Sequence, residues 1–524
     1  MKALLKKCGY LSTALLLSGM AAGLPPSEIR LGTTQRPNGT SPSLWSHEPS
    51  RGPITWTHDT LFEFEYLIEK PELKPLLAAE PIEWSKDRRT GTIRIRSGIA
   101  FHPVTDKGAR TLVAQDIIES WKKLSEFHQN FKSLQALDSL TLRFTLYRPD
   151  PDFESKLTLA ATAPSISSLD HDLGTGPWQL DTWYPGKKAI FLASPAYSNS
   201  FYPLEGGELA KKKGLLVSHS ESGTLTLPRA ERLEQIWFES SDRALEAFLT
   251  GKTDLLHLSG DLSSKVLISP EGSSLKPELS AKGIRLERGL APQVVVAIAN
   301  LRTLKDPRAR REILNSLDSE FWKASMGATD ALLGNSVIPM LADWGVEPKS
   351  RDRAQIRRQN IPSLLIRVDW VTPSAEFVPP DLALETLSER LQSRGVRTLI
   401  ESHPWSQAKE RFESGKTDLI ILGWRWNYPS PRELIAPLVA LQPQDSKEMK
   451  MISAAAARSS LSNFSNLERA LRESAIWSTG PRQRRLAILQ PWVFGFQLQS
   501  HSQYPEKYIR IDRELRRSFE QGNH

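Results

Sequence analysis

The densest group of side chains able to do chemistry is Gly423-Trp424-Arg425-Trp426-Asn427-Tyr428-Pro429. Three aromatic rings, a guanidinium and an amide offer contact area and polar anchors, which equips a site to bind rather than to break bonds. Bond-making residue types are dispersed. There is no Gly-x-Ser-x-Gly elbow, His47-Glu48 lacks the second histidine of a zinc helix, and the ten histidines form no pair at metal-ligating spacing. Cys8 is the single cysteine and precedes an apolar run, so a chain cut after that run has no thiol nucleophile. Scattered carboxylates leave a hydrolase open as an alternative. Gly-Lys-Thr occurs at Gly251 and again at Gly415, but the glycine a phosphate loop needs five residues earlier is Glu246 in one copy and Glu410 in the other.

The two copies belong to a repeat, Phe248–Leu255 and Phe412–Leu419, matching at six of eight positions. Each reads as a helix closed by its glycine, with a buried strand starting after the aspartate. Ile236–Glu239, Asp242–Thr250 and Asp254–Leu258 then form a strand–helix–strand unit. The second copy closes a longer series: strand Ser363–Trp370, helix Leu382–Arg394, strand Val396–Ser402, helix Trp405–Ser414 and strand Asp418–Trp424. Such alternation predicts a mostly parallel sheet covered by helices. Ligands bind beyond the carboxyl ends of such strands, and Gly423–Pro429 lies at one. Upstream, strand patterns cover 92–96 and Leu140–Leu146, with a helix over Leu112–Leu124 between them. Gly174-Thr-Gly-Pro177 is a turn opening another strand, Leu24–Pro53 has little periodic pattern, and 203–228 reads as an exposed excursion.

Lys2, Lys6 and Lys7, the apolar Leu11–Leu17 and the small residues Gly19 to Gly23 predict a signal peptide cut after Ala22 or Gly23. Cys8 lies on the wrong side of the apolar run for a lipoprotein anchor. Removing three lysines takes the net charge from +8 to +5. The clusters Lys211–Lys213, Arg482–Arg485 and Arg513–Arg517 sit apart among acids, and they read as solvated surface with no nucleic-acid partner. Fifteen tryptophans fit a large core and an aromatic ligand chamber. The length of 524 residues allows two or three lobes.

Several stretches, in order, resemble the family 5 extracellular solute-binding proteins, the oligopeptide- and dipeptide-binding class. These are Trp84–Asp87, Ile93–Arg96, Gly98–His102 and Ala114–Ile118, then Gly174–Trp178 with Trp183–Gly186, Ile236–Leu255, Asn300 with Asp306–Arg310, and Gly423–Pro431. They span roughly 28–500. The resemblance implies an α/β, two-lobed type II periplasmic-binding-protein fold with an additional α+β subdomain on the first lobe. Transferred here, 1–23 is the signal peptide, 24–59 and 171–290 belong to the first lobe, and 60–170 to its accessory subdomain. The second lobe is 291–488, 489–524 returns to the first, and Gln293–Asn300 and Leu486–Pro491 are the crossovers.

The resemblance further implies a periplasmic monomer without cofactor that captures a peptide or peptide-like solute by hinge closure. An ABC permease and ATPase subunits would be its partners. Relatives that carry sugars or nickel chelates, or that act as sensors, are the alternatives. The implied ligand-binding residues are Trp405, Gly423, Trp424, Arg425, Trp426, Asn427 and Tyr428. Trp424 and Trp426 are expected to face opposite sides if the strand continues that far, which would make one of them core. Peptide-binding relatives pair an aspartate with the ligand's α-amino group, and here that position is Asn427. An amide carries no charge, so the ligand is expected to be blocked or uncharged at that end, or to place its amine on another carboxylate such as Glu63 or Glu65.

Overall fold

The computed structural model describes residues 27–103, 108–168, 171–197, 200–216, 225–269, 274–317, 321–322, 338, 364–371, 381–393, 395–459, 464–502 and 504–522. The expected signal peptide lies outside them. Among the described residues no helix is long and apolar enough to cross a membrane.

With strands numbered in chain order, one sheet of ten runs β14-β13-β15-β12-β16-β11-β1-β10-β9-β8. One half holds β13 (Leu364–Val371), β14 (Val396–His403) and β15 (Leu419–Arg425), parallel to one another. The other holds β1 (Glu28–Thr33), parallel to both β10 (Arg232–Trp237) and β11 (Leu255–Leu258). There β8 (Trp178–Tyr184) and β9 (Lys188–Ala193) add an antiparallel edge. Two long strands link the halves, β12 (Arg285–Ala299) and β16 (Trp477–Leu489), antiparallel to each other. The sheet is therefore mixed: parallel in the centre of each half, antiparallel at the seam and at the β9–β8 edge.

Burial on both faces explains the unbroken apolar runs. In β12, Val294, Val296 and Ile298 enter one core while Val295, Ala297 and Ala299 enter the other. In β16, Leu486 and Ile488 face away from the core that takes Ala487 and Leu489. A fully covered sheet needs apolar residues at every position, not every second one.

The repeat builds the same joint in each half. Helix Ser241–Leu249 ends at Gly251 and helix Trp405–Glu413 at Gly415, both with φ +74°. The next amide closes the helix five residues back, Lys252 to the Ala247 carbonyl and Lys416 to that of Arg411, each at 2.8 Å. The aspartate that follows accepts the backbone N–H of an arginine in the neighbouring parallel strand, Arg30 to Asp254 at 2.6 Å and Arg367 to Asp418 at 2.9 Å. An amide just past each long strand seals the helix end: Asn300 Nδ2 donates to the Phe412 carbonyl at 2.7 Å, and Gln490 Nε2 does the same to Phe248.

A separate four-stranded sheet, β4-β5-β7-β6, comprises β4 (Glu83–Trp84), β5 (Thr90–Arg94), β6 (Phe131–Ala136) and β7 (Thr141–Leu146). Helix Ala114–Lys122 packs on it around Trp121, Phe131, Phe144 and Phe153. Two short hairpins complete the strands, β2 (Phe62–Phe64) with β3 (Leu73–Pro75) and β17 (Val493–Phe494) with β18 (Arg510–Ile511).

Three expectations need correction. Leu24–Pro53 contains β1, a central strand whose six residues are too few to register as a pattern. The excursion after 203 is partly internal, because Ala210, Leu225 and Leu227 form a small core with Tyr66, Tyr202 and Tyr508. The basic clusters are not simply solvated. Arg482 is 1% exposed and lies over the Trp426 ring at 5.2 Å, and Arg516 pairs with the buried Asp254.

Candidate ligand-binding cleft

The carboxyl ends of β1 and β11 approach the seam from one half, and that of β15 approaches it from the other. Between them lies a cavity of about 310 Å³. Its walls include Leu31–Gln35 and Leu255–Ser259 on one side and Arg425 on the other, and its floor is Ala291–Gln293 of β12 with Arg484–Leu486 of β16. Across it Arg425 donates to Glu48. Trp56, on helix Arg51–Thr57, and Tyr504 line this cavity and also an adjoining one of about 130 Å³ that reaches Asn427.

Polar groups in the smaller chamber are nearly enclosed. Burial pushes the Asp59 carboxyl up to about 6 although Lys507 opposes it. Burial would also raise Glu63, but Lys507 at 2.7 Å and Lys74 at 3.3 Å hold it below the usual carboxylate range. In the larger chamber, Glu506 is raised by burial while accepting the Trp56 indole N–H at 2.9 Å. Desolvation lowers Arg425 and Arg485 from the ordinary arginine value. His257 is open to the cleft yet enclosed by protein, and desolvation followed by Arg485 pushes it down to about 3, so the ring is neutral.

A tight loop supports this wall. A Cβ on Gly174 would lie 2.0 Å from the Thr57 carbonyl oxygen, and one on Gly176 would lie 2.6 Å from the His58 nitrogen. Only glycine lets the turn approach this closely. The Gly176 N–H donates to Thr57 at 3.0 Å and His102 Nε2 lies 3.0 Å from the Gly176 carbonyl oxygen, which ties the loop to the residues just before Asp59.

The structure separates the seven residues singled out in the sequence. Arg425 and Asn427 line the cavities. Gly423 is exposed on β15, beside them in sequence. Trp424 is half-buried and donates its indole N–H to the Glu433 carbonyl at 3.1 Å. The two tryptophans do not face opposite sides: two residues apart at the end of one strand they share a face, and both pack on the same core of the second half, Trp426 buried beneath Arg482 and Trp424 partly buried. Tyr428 is buried, and Trp405 is 38% exposed at the first turn of its helix, lining neither cavity. Of the two carboxylates considered for a ligand amine, Glu63 lines the smaller cavity and is paired with Lys507 and Lys74, and Glu65 is paired with Lys74 at 3.0 Å. Asn427 is itself engaged, donating its backbone and side-chain N–H to Glu433 Oε1 at 3.1 and 3.0 Å.

Asp59, Glu48, Tyr504, Arg484, Arg485 and Glu433 escaped the sequence reading. Ser430-Pro-Arg-Glu433 was a usable signal, since Ser followed three residues on by Glu marks a helix start. Ser430 does accept the Arg432 N–H at 3.1 Å there. The Arg482–Arg485 cluster, on the strand that runs into the Leu486–Pro491 crossover, was the other.

Asp369, Glu401 and His403 place their ligand atoms within 4.8 Å of one another. Arg411 lies among them, donating to Asp369 at 3.0 Å and to Glu401. A fixed cation already satisfies both carboxylates, which suits an ion-pair network rather than a metal.

The model of the bacterial extracellular solute-binding proteins, family 5 (Middle), matches residues 72–445. Glutathione-binding protein GsiB of Escherichia coli O1:K1 is 33% identical over 131 residues, 22% of this chain and 25% of the relative, so the match spans about a quarter of that protein. Di/tripeptide-binding protein 4 of Pseudomonas aeruginosa is 22% identical over 416 residues, 71% of each chain. The structure of the ABC transporter-associated periplasmic binding protein DppA from Helicobacter pylori, in complex with peptide STSA, covers 93% of this chain and 98% of its own with TM-score 0.60 at 15% identity. With a matching family model over most of the chain and two sheet halves joined by two crossing strands, the chain belongs to the family 5 bacterial extracellular solute-binding proteins.

Proposed function

We propose that this protein captures a peptide or peptide-like solute in the cleft at the seam of its two lobes and delivers it to the permease and ATPase subunits of an ABC importer. The cavity of about 310 Å³, walled by both halves and floored by both linking strands, carries this reading. A solute touching both walls stabilises the closed arrangement over the open one by no more than its differential affinity for the two. The names of the glutathione-binding and di/tripeptide-binding relatives support a peptide-like cargo.

In this reading Arg425 and Asn427 meet the ligand from the second lobe, with Trp424 and Gly423 at the rim. Trp426 and Tyr428 support them from beneath. Residues 60–170 form the accessory subdomain and 291–488 the second lobe. The protein works as a monomer outside the cytoplasm after loss of 1–23, and it makes and breaks no bonds. Native mass spectrometry of the purified protein should find a co-purifying peptide-like mass. Calorimetry against di- to pentapeptides should find micromolar or tighter binding that contracts the molecule in solution scattering. Absence of heat and of contraction across the panel would refute the reading.

A further inference from the structure

We infer that the smaller chamber is where the cleft selects its solute: an ammonium group of the ligand enters it and pairs with the Asp59 carboxylate, while the Asn427 carbonyl accepts from the second half. This inference deepens the solute-binding reading and rests on it. Asp59 is 6% exposed and lines the chamber. Among the described residues no N–H donates to it, and the groups that act on it are Lys507, Glu63, the Tyr197 hydroxyl and, most weakly, Arg96. Lys507 attracts it but donates to Glu63 at 2.7 Å, so the nearest strong cation is already bonded to another carboxylate. Asn427 lines the same chamber and donates its side-chain N–H to Glu433 at 3.0 Å, which leaves its carbonyl oxygen as an acceptor. A buried carboxylate and a carbonyl, both short of donors, suit a group that brings several N–H bonds and a positive charge.

The chamber holds about 130 Å³, too little for a peptide but ample for an ammonium group, since about 10–15 Å³ of such space admits one water. Trp56 and Tyr504 line both chambers, so a solute lying in the larger one reaches the smaller with its terminal group. The other titratable groups around Asp59 do not compete for the charge. Desolvation pushes His58 down to about 3 and His501 down to about 4, so both rings are neutral. Burial raises Tyr197, Tyr504 and Tyr508, so all three keep their protons. Lys507 and Glu63 offset each other. In the free protein Asp59 holds a proton up to about pH 6. An incoming ammonium replaces that proton, so capture exchanges one positive charge for another. Trp56, on the helix that leads to Asp59, packs against Phe191 of β9 in one half of the sheet, and Asn427 follows β15 in the other. The ammonium is fully bonded only when the halves are together, which supplies differential affinity for the closed arrangement.

The test offers the protein two mixtures of lysine-free tripeptides, identical except that one has free amino termini and the other N-acetyl groups. Retention is read by native mass spectrometry, and the wild type should favour the free amines at least tenfold. The tripeptide retained most is then titrated by calorimetry in two buffers of different ionisation heat. At pH 5 about one proton should leave for each peptide bound, and affinity should rise about tenfold from pH 5 to pH 7. Asp59→Asn, checked for an unchanged circular dichroism spectrum, should bind the same tripeptide at least tenfold more weakly at pH 7. The proton count comes from the wild type, so the inference does not depend on a loss-of-function variant alone. Equal retention of the two mixtures, binding at pH 5 with no proton released, or an Asp59→Asn variant that binds as the wild type does, overturns the inference and leaves solute binding standing. Retention of neither mixture overturns both.

Discussion

Asp59 and His58 are adjacent, line the cleft and titrate with opposite consequences. The folded protein holds the Asp59 proton up to about pH 6, against an ordinary value of 3.8. Stability is therefore greatest when that carboxyl is neutral, and it declines as pH rises from 3.8 through 6, by roughly 3 kcal/mol in all. Asp59→Asn removes this dependence. Its stability relative to the wild type should rise by about 2–3 kcal/mol between pH 4 and pH 8, measured as urea midpoints at the two pH values. The histidines behave the other way. Desolvation lowers His58 to about 3 and His102 to about 4 from 6.5. Their contribution is complete above pH 6.5 and is lost as acid protonates the unfolded chain first. Between pH 6.5 and 5 each costs about 2 kcal/mol, while Asp59 returns about 1. The unfolding midpoint should therefore drop over that interval; a midpoint that rises contradicts the buried, neutral assignment. None of these protonation states could be read from the sequence, because each follows from enclosure by segments distant in the chain.

The twin joints at Gly251 and Gly415 allow a comparison that isolates backbone strain from packing. Both glycines have φ +74°, where a side chain costs about 1–2 kcal/mol. A Cβ on Gly415 meets only Thr303, at 3.4 Å, whereas one on Gly251 strikes the Phe519 ring at 2.8 Å. Gly415→Ala should lower stability by about 1–2 kcal/mol, and Gly251→Ala by at least 1 kcal/mol more. Equal losses in thermal or urea unfolding would mean that Phe519 swings aside without cost. These joints were legible in advance because a helix end followed by a buried strand has a local cause. The glycine, the lysine amide and the aspartate lie within four residues. β1 was not, since its evidence is its pairing with β10 and β11, both more than 190 residues away. The basic run at Arg482–Arg485 was misread for a related reason. A charge cluster is solvated by default, and only the crossing of β12 and β16 shows that this one lies against Trp426 and the cleft floor.

At the scale of the molecule, the lobes touch through more than the linking strands. The Asp152 carboxylate, just beyond β7, accepts Ser430 Oγ at 2.7 Å and Arg432 Nε and Nη2 at 3.0 and 2.7 Å. This clasp and Glu48–Arg425 hold opposite walls of the cleft together. Asp152→Asn replaces a two-pronged charged contact by a neutral one and should shift the open-to-closed ratio tenfold or more, about 1.4 kcal/mol. The radius of gyration of the unliganded protein should increase in solution scattering, and saturating ligand should restore it. By itself the sequence determined the α/β class, the paired strand–helix–strand units and the position of the aromatic strand end. Those features depend on periodicity, glycine punctuation and residues near one another in the chain. Only the tertiary structure decided that Trp426 is core while Arg425 faces the cleft, that Glu63 pairs with Lys507, and that arginines from two distant segments share one cavity. Which groups a charge meets across a gap is set by how two lobes fold back on each other, and no local pattern carries that information.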